Sequence, residues 1–216
     1  MRHGLNSLRS IAALVILAFA ASPAYPDPNI PFVSIGQLDW MSLNVDTAKF
    51  QNGDAVPIIE DAGAWAEAGK SSRPAMTFYS GAGKIPSEWG RLYNYAAIMD
   101  ARGLCPVGWR VPDDGDWAEL ESDLGLPSAG RRLRSRSGWP PGGEGSDTIG
   151  FEAFPAGFRT QRGDYFLANR VAYFWSATEV SPTETTAHML FDYDDKIFRI
   201  IYNKAMGMSL RCVRKS

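Results

Sequence analysis

The spacing of apolar residues in the middle of the chain predicts a short amphipathic helix that begins near Asp113. Trp117, Leu120 and Leu124 follow one another at helical intervals, which places their side chains on one face. Asp113 stands at the capping position, and Asp116 lies three residues later, where its carboxylate completes a capping box. Both acids also face the positive end of the helix dipole. A glycine directly after Leu124 is a typical helix end, so we expect an apolar helix face packed on the core.

Beyond position 150 the apolar residues alternate with polar ones, which is typical of strands. Short β-rich segments are predicted at residues 151–158, 165–167, 172–178, 187–191, 196–202 and 209–213. A hairpin turn at residues 192–195 separates two of them. Earlier in the chain, residues 32–44 suggest two short strands, and residues 60–68 and 92–101 suggest helices. This order predicts an α+β fold with two or three short helices, an irregular antiparallel sheet and long loops, all in one domain.

The first residues resemble a secretory signal peptide. Arg2 and Arg9 precede an apolar run at residues 11–21 that is too short to cross a bilayer comfortably. Ser22 and Ala24 supply the small residues of a cleavage site, so cleavage after Ala24 is expected. We therefore predict a signal peptide at residues 1–24 and an exported protein, located in the periplasm, outside the cell or at its surface. An uncleaved N-terminal anchor is the alternative.

Removing 24 of the 216 residues would leave a single domain at residues 25–216. The loss of two arginines would leave 20 basic against 24 acidic residues, a formal charge of −4. A mildly acidic chain without a basic run is a poor match for nucleic acid. No second apolar run is long enough to span a membrane, so none is predicted after cleavage.

Cys105 and Cys212 are the only cysteines in the chain. Disulfides persist in the compartments that exported proteins enter, which favours a bridge between the two. A pair of free structural thiols is the alternative.

The residue types do not form a recognisable catalytic set. His188 is the only histidine after the predicted cleavage site, and it lies in a predicted strand without a nucleophile elbow nearby. One histidine and two cysteines expected to be bridged cannot supply four zinc ligands. We therefore assign no catalytic residue and no metal ligand here, and interpret His188 as structural.

Two acidic clusters deserve comparison with calcium sites. Asp192, Asp194 and Asp195 could offer oxygen ligands to Ca²⁺, but such residues are also common in solvated hairpin turns, the interpretation that we favour. In the earlier cluster, capping explains Asp113 and Asp116. Asp114 is then expected to be an exposed acid in the first helical turn.

Aromatic side chains are the remaining candidates for ligand contact. Trp139 and Tyr165, and to a lesser degree Trp89, lie in or beside predicted loops. An exposed ring there could stack on a sugar or anchor a protein partner. Partial burial under a loop is the interpretation that we favour for each ring; the ligand-binding alternative is that Trp139 and Tyr165 share an exposed face.

A series of short motifs, in order along the chain, resembles the Fibrobacter succinogenes major paralogous domain, a family of bacterial exported proteins. The motifs are IG at 35–36, WM at 40–41, NGD at 52–54, GRLYN at 90–94, GLCP at 103–106, GW at 108–109, VP at 111–112, GF at 150–151, PAGFR at 155–159, WSATE at 175–179 and GMSLRCV at 207–213. The resemblance implies a C-type-lectin-like fold, related to that of formylglycine-generating enzymes. It also implies that Cys212 can reach Cys105 to form a disulfide.

The function expected from these features is that of a secreted binding or surface-interaction module for a glycan or a protein. One alternative is an enzyme of formylglycine-generating type, which would need free and reactive cysteines. The other is a structural envelope protein without a ligand.

Overall fold

The computed structural model describes residue 1, residues 29–81, residue 86 and residues 89–216. The predicted signal peptide and its cleavage site after Ala24 lie outside these residues, apart from Met1. Within the described part of the chain, no helix combines the length and apolar character needed to cross a membrane.

Short helices and small antiparallel sheets alternate along the described chain, which confirms the predicted α+β class. In order, the elements are β1 (Phe32–Ile35), β2 (Leu38–Met41), α1 (Ala62–Lys70), β3 (Met76–Thr77), β4 (Leu92–Tyr93), α2 (Tyr95–Ile98), α3 (Asp114–Leu124), α4 (Ala129–Leu133), β5 (Phe158–Arg159), β6 (Tyr165–Phe166), β7 (Val171–Glu179), β8 (Glu184–Phe191), β9 (Phe198–Asn203) and β10 (Val213–Lys215). Helix α4 was not predicted.

The sheet β7–β8–β9 divides the interior into two hydrophobic cores. Because successive side chains of a strand point to opposite faces, Tyr173 and Trp175 enter one core while Ala172 and Phe174 enter the other. The second core also receives the apolar face of α3, including Trp117. The alternating side chains of β7 therefore contribute to both cores.

Helix α3 confirms the predicted cap. The Asp113 side chain accepts a hydrogen bond from the Asp116 backbone N–H, and the Asp116 carboxylate accepts one from the Asp113 N–H. The Arg110 guanidinium donates two hydrogen bonds to the same Asp116 carboxylate, one to each oxygen. Gly125 ends the helix with a positive φ of 77°, a conformation that glycine adopts without steric cost.

Three predicted elements differ from the structure. In the predicted strand at 209–213, only Val213 lies in a strand, β10. In the predicted helix at 92–101, only Tyr95–Ile98 is helical, because Leu92–Tyr93 pairs with β3 instead. In the predicted strand at 151–158, only the last residue is in a strand. The rest is irregular, and the carbonyl oxygens of Phe151 and Glu152 accept hydrogen bonds from a buried arginine, Arg211.

The predicted disulfide between Cys105 and Cys212 is present. Leu210 and Cys212 both lie in the same core, as the period of two along an extended segment requires. The bridge joins the segment before α3 to the segment before β10, across 107 positions of the sequence.

Candidate functional site

A buried polar cluster joins the first turn of α3 to the sheet. The Asp114 carboxylate accepts hydrogen bonds from Ser176 and Thr186 at 2.8 and 2.6 Å. It also contacts His188 Nε2 at 3.1 Å and pairs with the guanidinium of Arg199. Asp114 is therefore a half-buried contact between helix and sheet, and the prediction of an exposed acid is wrong.

The electrostatics of this cluster favour one protonation state for each group. Burial alone would raise the pKa of Asp114, but hydrogen bonds from Thr186, Arg199, Ser176 and His188 outweigh it and lower the pKa to about 2. Burial also lowers the pKa of His188, because the imidazolium is disfavoured away from water. The ionised carboxylate can only accept, so His188 is a neutral imidazole that donates from Nε2.

The cluster is arranged for structure rather than for nucleophilic catalysis. Ser176 donates its hydroxyl proton to the Asp114 carboxylate and not to the imidazole. The other ring nitrogen of His188, Nδ1, is buried and has no hydrogen-bond partner among the described residues. The imidazole instead stacks on Trp117, with ring centroids 4.7 Å apart. These contacts support the interpretation of His188 as a structural residue.

Buried arginines hold the irregular segments in place, a role that the sequence analysis missed. Arg211 donates to Asn44 Oδ1 and to the Met41 carbonyl, in addition to the two carbonyls near position 151. Arg159 likewise donates to the carbonyls of Glu60 and Gly163. Both lie within family-like motifs, FR at 158–159 and LRC at 210–212. For Arg211, a charged residue between the apolar Leu210 and Cys212 was the available signal.

The acids of the turn at residues 192–195 are engaged in contacts within the chain. Asp192 pairs with Arg170, and Asp195 pairs with Arg134 at 2.9 Å. The Asp194 carboxylate caps its own turn by accepting from the Lys196 N–H. The described residues include no group of three or more His, Cys, Asp or Glu side chains placed to hold a metal ion. These contacts are those of a hairpin turn, the favoured interpretation, and calcium binding by Asp192, Asp194 and Asp195 stays a weak prediction.

Trp139 is a buried ring, so it does not form an exposed face with Tyr165. It is only 6% exposed, and its indole N–H lies within hydrogen-bonding distance of Ser135 Oγ and the Ala153 carbonyl. Arg134 lies over the ring, with its guanidinium carbon 5.6 Å from the centroid. The glycine-rich loop packs closely enough on the protein to cover the ring. Trp89 is also buried, stacked on Phe154.

Tyr165 is half-buried and faces away from any shared surface with Trp139. Its hydroxyl lies 2.7 Å from Thr77 Oγ1, and its ring packs edge-on against Tyr79. The next residue, Phe166, points to the opposite side of the ribbon and is 49% exposed. Phe166 is the cross-strand neighbour of Phe158. The exposed aromatic ring is therefore one position further along than the predicted one.

Phe166 belongs to a larger surface that we call the aromatic face. Its members line one side of strands β5, β6, β8 and β9: Phe158, Phe166, Leu167, Phe191, Tyr193, Phe198, Ile200 and Tyr202. Phe158 contacts Phe166 and Tyr202 with ring centroids 6.0 and 6.4 Å apart. Phe191 contacts Tyr193 and Phe198 in the same way, at 5.0 and 5.3 Å.

The aromatic face lies on the first-core side of the sheet, away from the longer helix α3 and from α4. Helices α3 and α4 contact the opposite side of the sheet, through β7 and β8. On this side Tyr193 is 73% exposed, whereas Phe198, Ile200 and Tyr202 are half-buried because they pack against the first core. An apolar surface of this kind is typical of an interaction site. The alternation in β9 could have placed these three side chains on one side of the strand. It could not have shown how far each side chain is exposed.

Two clefts lie away from the aromatic face. One, of about 580 Å³, is lined by residues 45–51 and 104–107 beside the disulfide. The other, of about 560 Å³, lies between α1, the turn at 161–162 and residues 203–205. Its walls include Ala62, Gly63 and Ala66, with Lys70 and Arg162 also in the lining. Neither cleft contains a histidine, a free cysteine or a pair of carboxylates.

Comparison with known proteins adds the family but no individual relative. Searches of curated proteins and of solved structures gave no match. The family model described as the Fibrobacter succinogenes major domain matches residues 33–214, which include every described element except parts of β1 and β10. The chain therefore belongs to the Fibrobacter succinogenes major domain family.

Proposed function

We propose that this chain is an exported binding module that contacts a protein partner at the cell surface through its aromatic face. The supporting observation is the pair of ring groups that carry exposed members: Phe166 with Phe158 and Tyr202, and Tyr193 with Phe191 and Phe198. Aromatic residues are enriched in the centres of protein interfaces, where charged residues are depleted. Export follows from the predicted signal peptide, and the C-type-lectin-like relation remains a prediction of the resemblance.

A protein partner suits this face better than a glycan. Sugar sites combine a stacked ring with several convergent polar groups. Phenylalanine, leucine and isoleucine make up most of the aromatic face, and hydroxyl groups come only from Tyr193 and Tyr202. A surface with so few donors and acceptors gains most of its binding free energy from the burial of apolar area.

The disulfide supports a binding function over the enzymatic alternative. An enzyme of formylglycine-generating type would need reactive thiols, and the nucleophile of such chemistry is the thiolate. Both cysteines are bonded to each other here, which leaves no free cysteine in the chain. A structural envelope protein without a ligand is the second alternative, and the extent of the aromatic face is the observation against it.

A paired array experiment tests the proposal. The protein that begins at Tyr25 is applied to protein and glycan arrays beside a Phe166→Ser, Tyr193→Ser variant. Since both rings are exposed, the variant should unfold at nearly the same temperature but bind its protein target at least about tenfold more weakly. Val180→Ser, an exposed apolar residue on the β7–β8 turn, is the matched control and should bind normally.

Three outcomes would overturn the proposal. Unchanged binding by the double variant would place the site elsewhere. Binding to glycans alone would replace the protein partner with a sugar. No binding on either array would favour the structural envelope protein.

A further inference from the structure

Strand β9 is an edge strand whose outer backbone groups can be identified from the register. The Lys204 N–H donates to the Thr183 carbonyl, at 2.9 Å, on the line of the β8–β9 ladder. In an antiparallel pair, hydrogen-bonded and non-hydrogen-bonded residue pairs alternate. The hydrogen-bonded positions of β9 therefore recur at every second residue. Before Lys204 these positions are Tyr202, Ile200 and Phe198, which bond to β8. The N–H and C=O groups of Arg199 and Ile201 therefore point away from the sheet.

These outward groups are open for pairing. Apart from the ladder to β8, no backbone hydrogen bond among the described residues involves Arg199 or Ile201. Natural edge strands are usually protected by proline, by a bulge, by several charges or by a covering loop. Strand β9, with sequence FRIIYN, has one charge and no proline, and its pairing with β8 is regular over all six residues. The Ile201 side chain is 47% exposed at its centre.

We propose that β9 pairs with β9 of a second copy of this chain, antiparallel and centred on Ile201. A two-fold axis through this pair would place Ile201 opposite Ile201 of the second copy. Arg199 would then lie opposite Asn203 of the second copy, so that the only charge of the strand faces a neutral residue. Arg199 and Ile201 point both backbone groups outward, which is the condition for a hydrogen-bonded antiparallel pair; Asn203 offers its N–H, while its carbonyl also accepts from the Met206 N–H.

The sequence of β9 disfavours the registers centred two positions away on either side. Centring the pair on Arg199 would oppose two arginines, which is destabilising. Centring it on Asn203 would place Arg199 opposite residues of the second copy beyond position 205, outside the paired strand. The register on Ile201 pairs five residues of each copy and buries an exposed β-branched side chain against its own mate. Such self-complementarity is what a two-fold interface requires.

The pairing would also double the aromatic face. Two antiparallel strands in one sheet are related by an axis perpendicular to that sheet, so equivalent faces stay on the same side. The dimer would have a continuous sheet in the order β7–β8–β9–β9–β8–β7, with both aromatic faces on one surface. A partner with repeated sites could then be held at two points, which raises its effective affinity. The pairing itself does not depend on what the aromatic face binds.

A charge-swap experiment tests the pairing. Sedimentation velocity over a range of concentrations should show a monomer–dimer equilibrium for the purified protein. Ile201→Glu and Ile201→Lys should each weaken dimerisation at least about 100-fold, since two apolar contacts are lost and like charges meet at the axis. An equimolar mixture of the two variants should form a heterodimer. Val180→Glu and Val180→Lys, which add the same charges away from the edge, should dimerise normally.

The wild-type measurement decides the matter even if a variant folds poorly. A protein that stays monomeric at every concentration would overturn the proposal. Normal dimerisation of both Ile201 variants would move the interface elsewhere. A mixture that remains monomeric would reject the pairing about Ile201.

Discussion

His188 on β8 donates a hydrogen bond from Nε2 to the Asp114 carboxylate on α3, and it stacks on Trp117 of the same helix. One imidazole thus joins helix to sheet through a polar and an apolar contact. Both contacts are made by the neutral ring, because burial lowers the pKa of His188 below its ordinary value. The helix–sheet junction is therefore sensitive to pH.

We expect the free energy of unfolding to fall as the pH is lowered below about 6.5, the ordinary pKa of histidine. In that range the unfolded chain binds a proton at His188 and the folded chain does not, so stability rises with pH. Asp114 acts in the same direction at lower pH. Its pKa of about 2, against 3.8 as a reference, makes its contribution full above pH 3.8 and lost as the pH approaches 2.

Denaturant unfolding at pH 5 and pH 7.5 measures the histidine contribution. His188→Phe keeps a ring on Trp117 but cannot titrate, so its stability should change much less between these two values. His188 is the only histidine after the predicted cleavage site, which makes the comparison simple. Equal pH dependence in the variant and the wild type would contradict the prediction.

Two substitutions in α3 should differ strongly in cost. Trp117 is fully buried and contacts Trp40 and Phe174, so Trp117→Ala should cost about 3–5 kcal/mol. Asp113→Ala removes only the helix cap and should cost about 1 kcal/mol. Denaturant melts rank the two directly. A larger loss for Asp113→Ala would mean that the helix is held mainly by its end and not by its apolar face.

Local signals in the sequence were sufficient to predict helix α3, its cap and the alternation of side chains in the late strands. Each depends on residues within a few positions of one another, where spacing determines which side chains share a face. The disulfide needed the compartment and the family resemblance as well. The α+β class followed from the order of the elements.

Long-range packing explains what the sequence did not reveal. Asp114 occupies an ordinary first-turn position, and its burial depends on Ser176 and His188, which lie more than sixty positions away. Trp139 lies in a loop rich in glycine and proline, yet Arg134 and Ser135 cover it. In β6, Tyr165 and Phe166 are chemically similar neighbours, and the register of a two-residue ribbon decides which one is exposed.

Arg211 provides a test of the buried arginine contacts. Burial lowers its pKa to about 9, so the guanidinium is still charged at neutral pH. Arg211→Lys keeps the charge but cannot reach four acceptors from one planar group. Since carbonyl groups of residues 41, 151 and 152 would lose their donor in the interior, we expect a loss of about 3 kcal/mol or more. Arg162→Lys, at an exposed position, is the control and should be nearly neutral.

Export makes a separate prediction at the N-terminus. If the signal peptide is removed after Ala24, the mature protein begins at Tyr25. Production of the full chain in a bacterial host, followed by N-terminal sequencing of the exported fraction, checks this directly. Ala24→Arg should block processing and serves as the matched variant. Exported protein that begins at Met1 would support the uncleaved anchor instead.

The disulfide should be the largest single covalent contribution to stability. It closes a loop of 107 positions, for which the chain-entropy relation gives about 4–5 kcal/mol. A Cys105→Ser, Cys212→Ser double variant should lose a similar amount in denaturant melts, and reduction of the wild type should reproduce the loss. Intact mass spectrometry should show a gain of two hydrogen atoms on reduction. Quantitative labelling of both thiols in the native exported protein would contradict the bridge, and it would restore the case for an enzyme with a reactive cysteine.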